Sequence, residues 1–290
     1  MTRTASAHAA SASPVSSVSS IAEPPARFRD LLVAEWIKMR SLRSTWWTIA
    51  LTALFVIGCA TVAALADHDT IAAAGPGAQE SRGFLPFDAF PPGAYMTLML
   101  VAGSLGAVTI VSEYGSGLIR TTTVAVPARH SVVLAKAVVV AAVWTAVGTA
   151  VSLGAFLVSQ AVLDGRHAGV SLTHPGAARA MAASALLAPV CALVGLGLGA
   201  LIRHTPGSLV ATLFTLVMLP PLFSTSRQWS ADVNHVMVAS AWKRLVQNWG
   251  DLPDLHHVHD ATVSGSWAVY VVWPLVAVAL AVVVVRRRDV

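Results

Sequence analysis

Six long apolar stretches limit what this chain can fold into. A helix that crosses a bilayer needs ~20 predominantly apolar residues, and inside the bilayer every backbone amide must be bonded within the protein. Only 11% of the 290 residues are charged, whereas soluble domains carry about 25%, so the chain has too little polar surface to cover a water-soluble globule. The predicted fold is therefore an all-α integral membrane protein with six transmembrane helices. The predicted spans are about 46–66, 93–111, 132–163, 177–202, 207–223 and 267–285.

The segments before the first span complete the predicted membrane domain, residues 27–290. Residues 1–26 are rich in Ala, Ser and Pro and lack an apolar signal-peptide core, which predicts a disordered cytoplasmic tail. Residues 27–45 carry apolar side chains at three- and four-residue spacing, which predicts an amphipathic helix in the membrane interface; an ordinary packed helix is the alternative. Glu35 falls on the apolar side of this helix one turn before Lys38, so we expect an ion pair between them.

Residues 224–266 form the largest segment predicted to lie on the outer side of the membrane. Asp232 is a candidate cap for a helix with an apolar stripe that includes Val238 and Trp242. Such a helix either dips into the outer leaflet or packs as a loop helix on the spans, and the sequence leaves both alternatives open.

The distribution of the basic residues predicts the orientation of the chain. With both termini inside, 13 of the 19 Lys and Arg residues fall on cytoplasmic segments, whereas 9 of the 14 acidic residues fall outside. By the positive-inside rule we expect a multi-pass protein of the plasma (cytoplasmic) membrane with both termini in the cytoplasm. The basic excess is spread over all the cytoplasmic segments, which argues against nucleic acid as a partner.

Several classes of chemistry lack the residues they need. No G-x-x-x-x-G-K-[ST] motif occurs, so the chain has no P-loop for hydrolysing ATP, and the glycines of residues 195–199 are better explained as a helix-packing face. The predicted spans contain no Asp, Glu or His, which argues against an intramembrane protease and an ion-coupled pump. His256, His257 and His259 lack the spacing of a metal site, so no metal is expected.

The third predicted span carries small polar residues at three- and four-residue intervals. Thr145, Thr149 and Ser152 accompany Gly148 on roughly one face. This face either packs tightly against another helix or lines a mildly polar route, and small residues in membrane helices favour packing.

The polar interval at residues 112–136 stands apart from a simple connection. Its charge places it in the cytoplasm, and Glu113 and Arg120 are two turns apart on one helical face. Gly117 lets the backbone turn, and Pro127 ends any helix before the next span begins. A basic loop that only satisfies the positive-inside rule is the alternative interpretation.

These residues resemble the permease subunits of ABC-2 type ATP-binding-cassette exporters. Residues 34–47, AEWIKMRSLRSTWW, resemble the interfacial helix that enters the first span in bacterial members. The segment SEYGSGLIRTTTVAVPARHSVVLAK has the Glu, Gly, Pro, Arg and Lys of the family in matching order at Glu113, Gly117, Pro127, Arg129 and Lys136. The six-helix plan with a large outer segment before the last helix also fits the family.

The resemblance implies a permease that moves an amphipathic or lipid-like substrate or drug, driven by a separate ATP-binding subunit. A second permease would complete a homo- or heterodimer in membrane lipid, and ATP and Mg would bind the partner, leaving no cofactor in this chain. A membrane anchor or sensor that recruits a cytoplasmic partner is the alternative. The resemblance implies an ATPase-coupling segment with Glu113, Tyr114, Gly117, Arg120, Thr121, Pro127 and Arg129, and an interfacial helix with Glu35, Trp36, Lys38, Arg40 and Arg43.

Overall fold

Helices make up nearly all of the described chain. The computed structural model describes residues 27–74, 86–115, 129–165, 169–247 and 259–287. The helices of this part are α1 (Phe28–Ser41), α2 (Arg43–Ala74), α3 (Pro86–Ala89), α4 (Pro92–Gly115), α5 (Arg129–Asp164), α6 (Ala177–Ile202), α7 (Thr205–Leu213), α8 (Gln228–His235), α9 (Val238–Val246) and α10 (Val263–Arg287).

Five of the described helices, α2, α4, α5, α6 and α10, are long and apolar enough to cross a membrane. They include five of the six predicted spans, and the all-α membrane fold is confirmed. Several of them run beyond the predicted spans. With 36 residues, α5 is about 54 Å long at 1.5 Å per residue, whereas the hydrocarbon core is about 30 Å thick. Its ends therefore extend out of the hydrocarbon.

The predicted span 207–223 is not one long helix. It consists of the short helix α7, a π-helical turn at Phe214–Met218 and a 3-10 turn at Pro220–Leu222. Pro220 and Pro221 lack the amide hydrogens that an α-helix requires, which explains why regular helix stops before them. The segment follows α4, with Thr212 and Leu216 against Gly103, but the count of six crossings remains a prediction.

Helix α6 is the centre of the bundle and packs against α4, α5, α7, α9 and α10. Glycine has no Cβ, and it therefore allows the backbones of α4 and α6 to touch. A Cβ on Gly195 would lie 1.9 Å from the carbonyl oxygen of Gly103, and a Cβ on Gly106 would lie 2.0 Å from that of Ala192. Small residues allow this approach in membrane bundles, as expected for residues 195–199.

The bundle has two ends with different character. At the α1 end, α1 lies beside the last turn of α4 and the start of α5. At the α9 end, α9 packs on α6 and α10, and Trp242 donates a hydrogen bond to Ser184 Oγ at 3.1 Å. The segments predicted to be cytoplasmic and the outer segment thus fall at opposite ends.

Helices α8 and α9 form the described part of the segment 224–266. The apolar stripe of α9 is buried at Val238, Trp242 and Leu245, and it faces α6 and α10. This arrangement is that of a loop helix packed on the spans. The cap predicted at Asp232 is wrong, because that residue lies inside α8, and α9 begins after Met237. The backbone turns again between these two helices, which divides the single predicted helix.

Candidate functional site

Two glutamates and two lysines from three helices meet at the α1 end. The Nζ of Lys136 lies 2.5 Å from Glu35 Oε2 and 2.9 Å from Glu113 Oε1. The Nζ of Lys38 lies 2.7 Å from Glu35 Oε1 and 2.9 Å from Glu113 Oε1. Each lysine therefore bridges both carboxylates. We call these four residues the Glu–Lys network.

Most of the Glu–Lys network is shielded from solvent. The side chains of Glu35, Glu113 and Lys136 are 6%, 9% and 6% exposed, and that of Lys38 is 42% exposed. Burying an isolated charge costs several kcal/mol, so buried charges persist where they are paired and hydrogen-bonded. Two carboxylates and two ammonium groups give the network no net charge.

Lys38 closes the solvent-facing side of the network. Burial disfavours its charged form, but hydrogen bonds to Glu35 and Glu113 outweigh burial and raise the pKa of Lys38 above its usual value. A raised lysine pKa means that the stabilisation from Lys38 is fully present below the unfolded pKa near 10.5. It is lost only as the pH rises through the higher folded value.

The network ties α1 to both helices that flank residues 116–128. Glu35 lies on the inward face of α1 between buried Leu31 and Met39, at i and i+4 spacing. Glu113 is in the last turn of α4, and Lys136 lies near the start of α5. A displacement of the last turn of α4 or of the start of α5 would therefore strain the ion pairs with α1.

A cavity of about 310 Å³ adjoins the network. Its walls combine the four charged side chains with apolar groups, including Met39, Leu42 and Val139.

A second contact at the α1 end joins α4 to α6. The Arg203 guanidinium lies over the Tyr114 ring, with Cζ 4.7 Å from the ring centroid, a cation–π geometry. Arg203 ends α6 in the left-handed conformation, with φ 57° and its amide donating to Gly199 O. This turn aims its side chain back at α4, so the last turn of α4 also contacts the central helix.

The structure brings together some of the predicted site residues. Glu113 and Tyr114 are in α4, and Arg129 begins α5. The ion pair expected between Glu35 and Lys38 is present. Trp36, Arg40 and Arg43 are exposed on the surface. The remaining coupling-segment residues, Gly117, Arg120, Thr121 and Pro127, lie outside the described residues.

The polar residues of the third span do not share one environment. Ser152 is buried and donates a hydrogen bond to Met181 O at 2.9 Å. Thr145 is partly buried and donates to Ala141 O within its own helix, whereas Thr149 is exposed. The close contact between Gly148 and Ala185 supports packing at the buried positions.

The sequence did not reveal which of the charged residues contact one another. Lys136 entered only as a match in the basic interval, and Arg203 only as a charge for orientation. A signal was available, since two of the chain's three lysines, Lys38 and Lys136, lie near the ends of predicted spans, as does Glu113. The described ranges contain no group of three His, Cys, Asp or Glu side chains that could hold a metal, and His256 and His257 lie outside them.

Comparison with known protein families gives a match. The family model described as "ABC-2 family transporter protein" matches residues 31–221, about two-thirds of the chain. The matched region runs from α1 to the 3-10 turn and contains all four residues of the Glu–Lys network. A search of the curated proteins finds no match.

Proposed function

Because this chain belongs to the ABC-2 transporter family, we propose that it is the membrane-spanning permease subunit of an ABC exporter. It is a multi-pass membrane protein. The sequence contains no P-loop motif, so the energy comes from a separate ATP-binding subunit that holds ATP and Mg.

The Glu–Lys network is the observation that carries the coupling role. The partner ATPase docks on residues 116–128, and its movement is passed to the helix ends at Gly115 and Arg129. The network joins these ends to α1 through contacts of 2.5–2.9 Å. Packed elements of this kind respond to a local push by moving as units, because well-packed interfaces do not deform continuously.

The movement also reaches the central helix, α6. The Arg203–Tyr114 contact joins the last turn of α4 to the end of α6, and α6 contacts most of the bundle. A shift of α4 is therefore passed on to α6, and the bundle rocks between inward-open and outward-open arrangements.

The substrate is amphipathic or lipid-like. The charged residues of the five long helices lie towards the helix ends, as at Glu113, Lys136 and Arg179, which leaves the middle of each helix apolar. Small ions need charged or polar ligands at membrane depth, and these helices offer few to them.

A second permease completes the transporter, and both termini face the cytoplasm. Helices α2 and α10 are the least buried of the five long helices, with apolar residues exposed along them. These surfaces meet membrane lipid and the second permease. The segment 207–223 makes the sixth crossing of the plasma (cytoplasmic) membrane.

The test is to purify the chain with the ATPase that co-purifies with it and to reconstitute the complex in liposomes. Glu113→Gln removes one carboxylate charge of the network, and Arg227→Gln is the control, since Arg227 is an exposed residue at the α9 end. We expect Glu113→Gln to retain the ATPase in the complex and to lower substrate-stimulated ATP hydrolysis at least about fivefold, at the lower end of typical coupling energies. The control is expected to match the wild type.

Two results would contradict the proposal. Full stimulated hydrolysis in Glu113→Gln would exclude the network from coupling. A complex that recruits an ATPase yet moves no amphipathic compound on ATP addition would favour the anchor or sensor subunit.

A further inference from the structure

A second cavity, of about 500 Å³, lies at the α9 end. It is formed by the start of α4, the 3-10 turn, α8 and α9, and by residues just before α10. Its size is within the range of small-molecule sites. We call it the α9-end cavity.

The lining of this cavity combines two kinds of residue. Apolar residues include Pro92, Met96 and Phe223, and polar residues include Lys243 and Arg244. A ligand that matches both kinds has a charged head and an apolar body.

The two cations in the lining lack an ion-pair partner among the described residues. Neither Lys243 nor Arg244 forms an ion pair there. Arg244 donates its Nε–H to Ala261 O at 2.6 Å, which fixes its side chain, and its terminal guanidinium nitrogens form no ion pair with a described residue. The acidic residue in the lining is Asp260, which is exposed.

A third cation strengthens the positive charge at this end of α9. Arg179 donates hydrogen bonds to Leu245 O at 2.9 Å and Gln247 O at 2.6 Å. Cations near a helix C-terminus are favourable for the helix dipole, which accounts for the presence of basic residues in the last turn of α9. It does not account for the apolar residues that share a cavity lining with Lys243 and Arg244.

Aromatic residues indicate the depth of the cavity. Trp229 is 62% exposed, and its ring packs edge-to-face on Phe223 with centroids 6.4 Å apart. Trp273 donates its indole N–H to Val236 O at 2.7 Å. Tryptophans concentrate at the membrane–water interface, so the cavity lies near the level of the lipid headgroups.

Exposed apolar residues continue from the cavity along the segment 207–223. Leu222, next to the cavity residues Pro221 and Phe223, is 67% exposed. Three more exposed apolar residues follow at four-residue spacing towards the α1 end, namely Met218, Phe214 and Val210. An acyl chain leaving the cavity would therefore meet apolar surface.

We propose that the α9-end cavity binds an amphipathic molecule with a phosphate or carboxylate headgroup. The headgroup lies against Lys243 and Arg244, and the apolar body lies against Met96 and Phe223. The outward position of the cavity rests on the proposed function, but binding itself does not, so the two can fail separately.

The test uses the full-length chain purified in detergent without any ATPase, with native mass spectrometry to count bound lipid. The probes are phosphatidylglycerol, phosphatidylcholine and inorganic phosphate. Lys243→Gln removes one cavity cation, and Ser240→Trp fills the cavity from α9, because Ser240 lines it and is partly buried. Arg227→Gln is the matched control, because it removes one exposed positive charge from the same end, away from the cavity lining.

We expect the wild type to prefer phosphatidylglycerol over phosphatidylcholine. Lys243→Gln is expected to weaken phosphatidylglycerol binding about fivefold, the usual effect of one basic residue on an anionic lipid, and Ser240→Trp to abolish it. Arg227→Gln is expected to leave it unchanged.

Three results would overturn the proposal. Equal weakening by Lys243→Gln and Arg227→Gln would show diffuse surface charge, and equal retention of the two lipids would show that the headgroup charge is not recognised. Displacement of phosphatidylglycerol by inorganic phosphate at equal concentration would show that the apolar body contributes nothing. Retention of the lipid in the presence of phosphate supports the amphipathic ligand.

Discussion

Replacing Lys136 by Met removes the buried cation of the Glu–Lys network. The Lys136 side chain is 6% exposed and contacts both Glu35 and Glu113. In its absence, two carboxylates that are 6% and 9% exposed share Lys38, which is 42% exposed. One buried negative charge is then left without a matching cation.

The expected loss of stability in Lys136→Met follows from the burial of Glu35 and Glu113. Breaking a buried ion pair by removing one member costs about 3–5 kcal/mol. For a chain of this size each kcal/mol lowers Tm by about 2–4 °C, so Lys136→Met should lower Tm by about 6–20 °C. Lys38→Met also leaves one lysine for two carboxylates, but it opens the solvent-facing side of the network to water. It should therefore lower Tm less than Lys136→Met does.

The chain supplies its own reporter for this measurement. Cys191 is fully buried in α6, and a thiol-reactive dye labels it only on unfolding, with partly buried Cys59 replaced by Ala in all variants. Arg40→Met, which removes an exposed cation of α1, is the control.

A double variant tests whether charge balance is the cause. Glu113→Gln combined with Lys136→Met leaves Glu35 paired with Lys38, and we expect it to recover 1–3 kcal/mol, about the usual coupling between contacting residues. A Tm for Lys136→Met within 2 °C (roughly the effect of an exposed pair) of the Arg40→Met control would refute the reasoning. So would a double variant that is less stable than Lys136→Met.

Two further predictions concern packing. Gly195→Ala should destabilise the fold by about 1–3 kcal/mol, because the added Cβ would meet the carbonyl of Gly103. Gly58→Ala is the control: no atom lies within 4 Å of its added Cβ, so it should be neutral or stabilising in the same thermal assay. Arg179→Leu removes two hydrogen bonds to the C-terminal end of α9, so amide hydrogen exchange in α9 should become about tenfold faster or more. Exchange in α2 should stay unchanged and serves as the internal control. Unchanged exchange in α9 would contradict this role of Arg179.

Much of the fold was predictable because the signals for membrane helices are local. Five predicted spans are parts of long apolar helices, since a run of ~20 apolar residues has few alternatives to crossing as a helix. Residues 207–223 do not form the single long helix that was expected, because hydropathy does not reveal a π-helical turn and because the prolines end the regular helix early. The cap at Asp232 failed for a similar reason, because a further turn of the backbone divides the predicted helix.

The candidate site was predictable only in part. Glu35, Lys38 and Glu113 were identified separately from local pattern and family resemblance, and the local Glu35–Lys38 pair follows from i,i+3 spacing. Nothing local links Glu35 to Lys136, which lies 101 residues away in the chain. Their contact depends on where α1 lies against α5.

The sequence by itself determined a helical membrane protein of the ABC-2 family, because apolar length, charge distribution and motif order can be read along the chain. Only the tertiary structure decided which charges meet, which glycine faces a neighbouring backbone, and where the cavities lie. These depend on helices far apart in sequence packing side by side. The polar interval at residues 112–136 shows both contributions, since its character was visible in the sequence, whereas the structure joined Glu113 and Lys136 to each other and to α1.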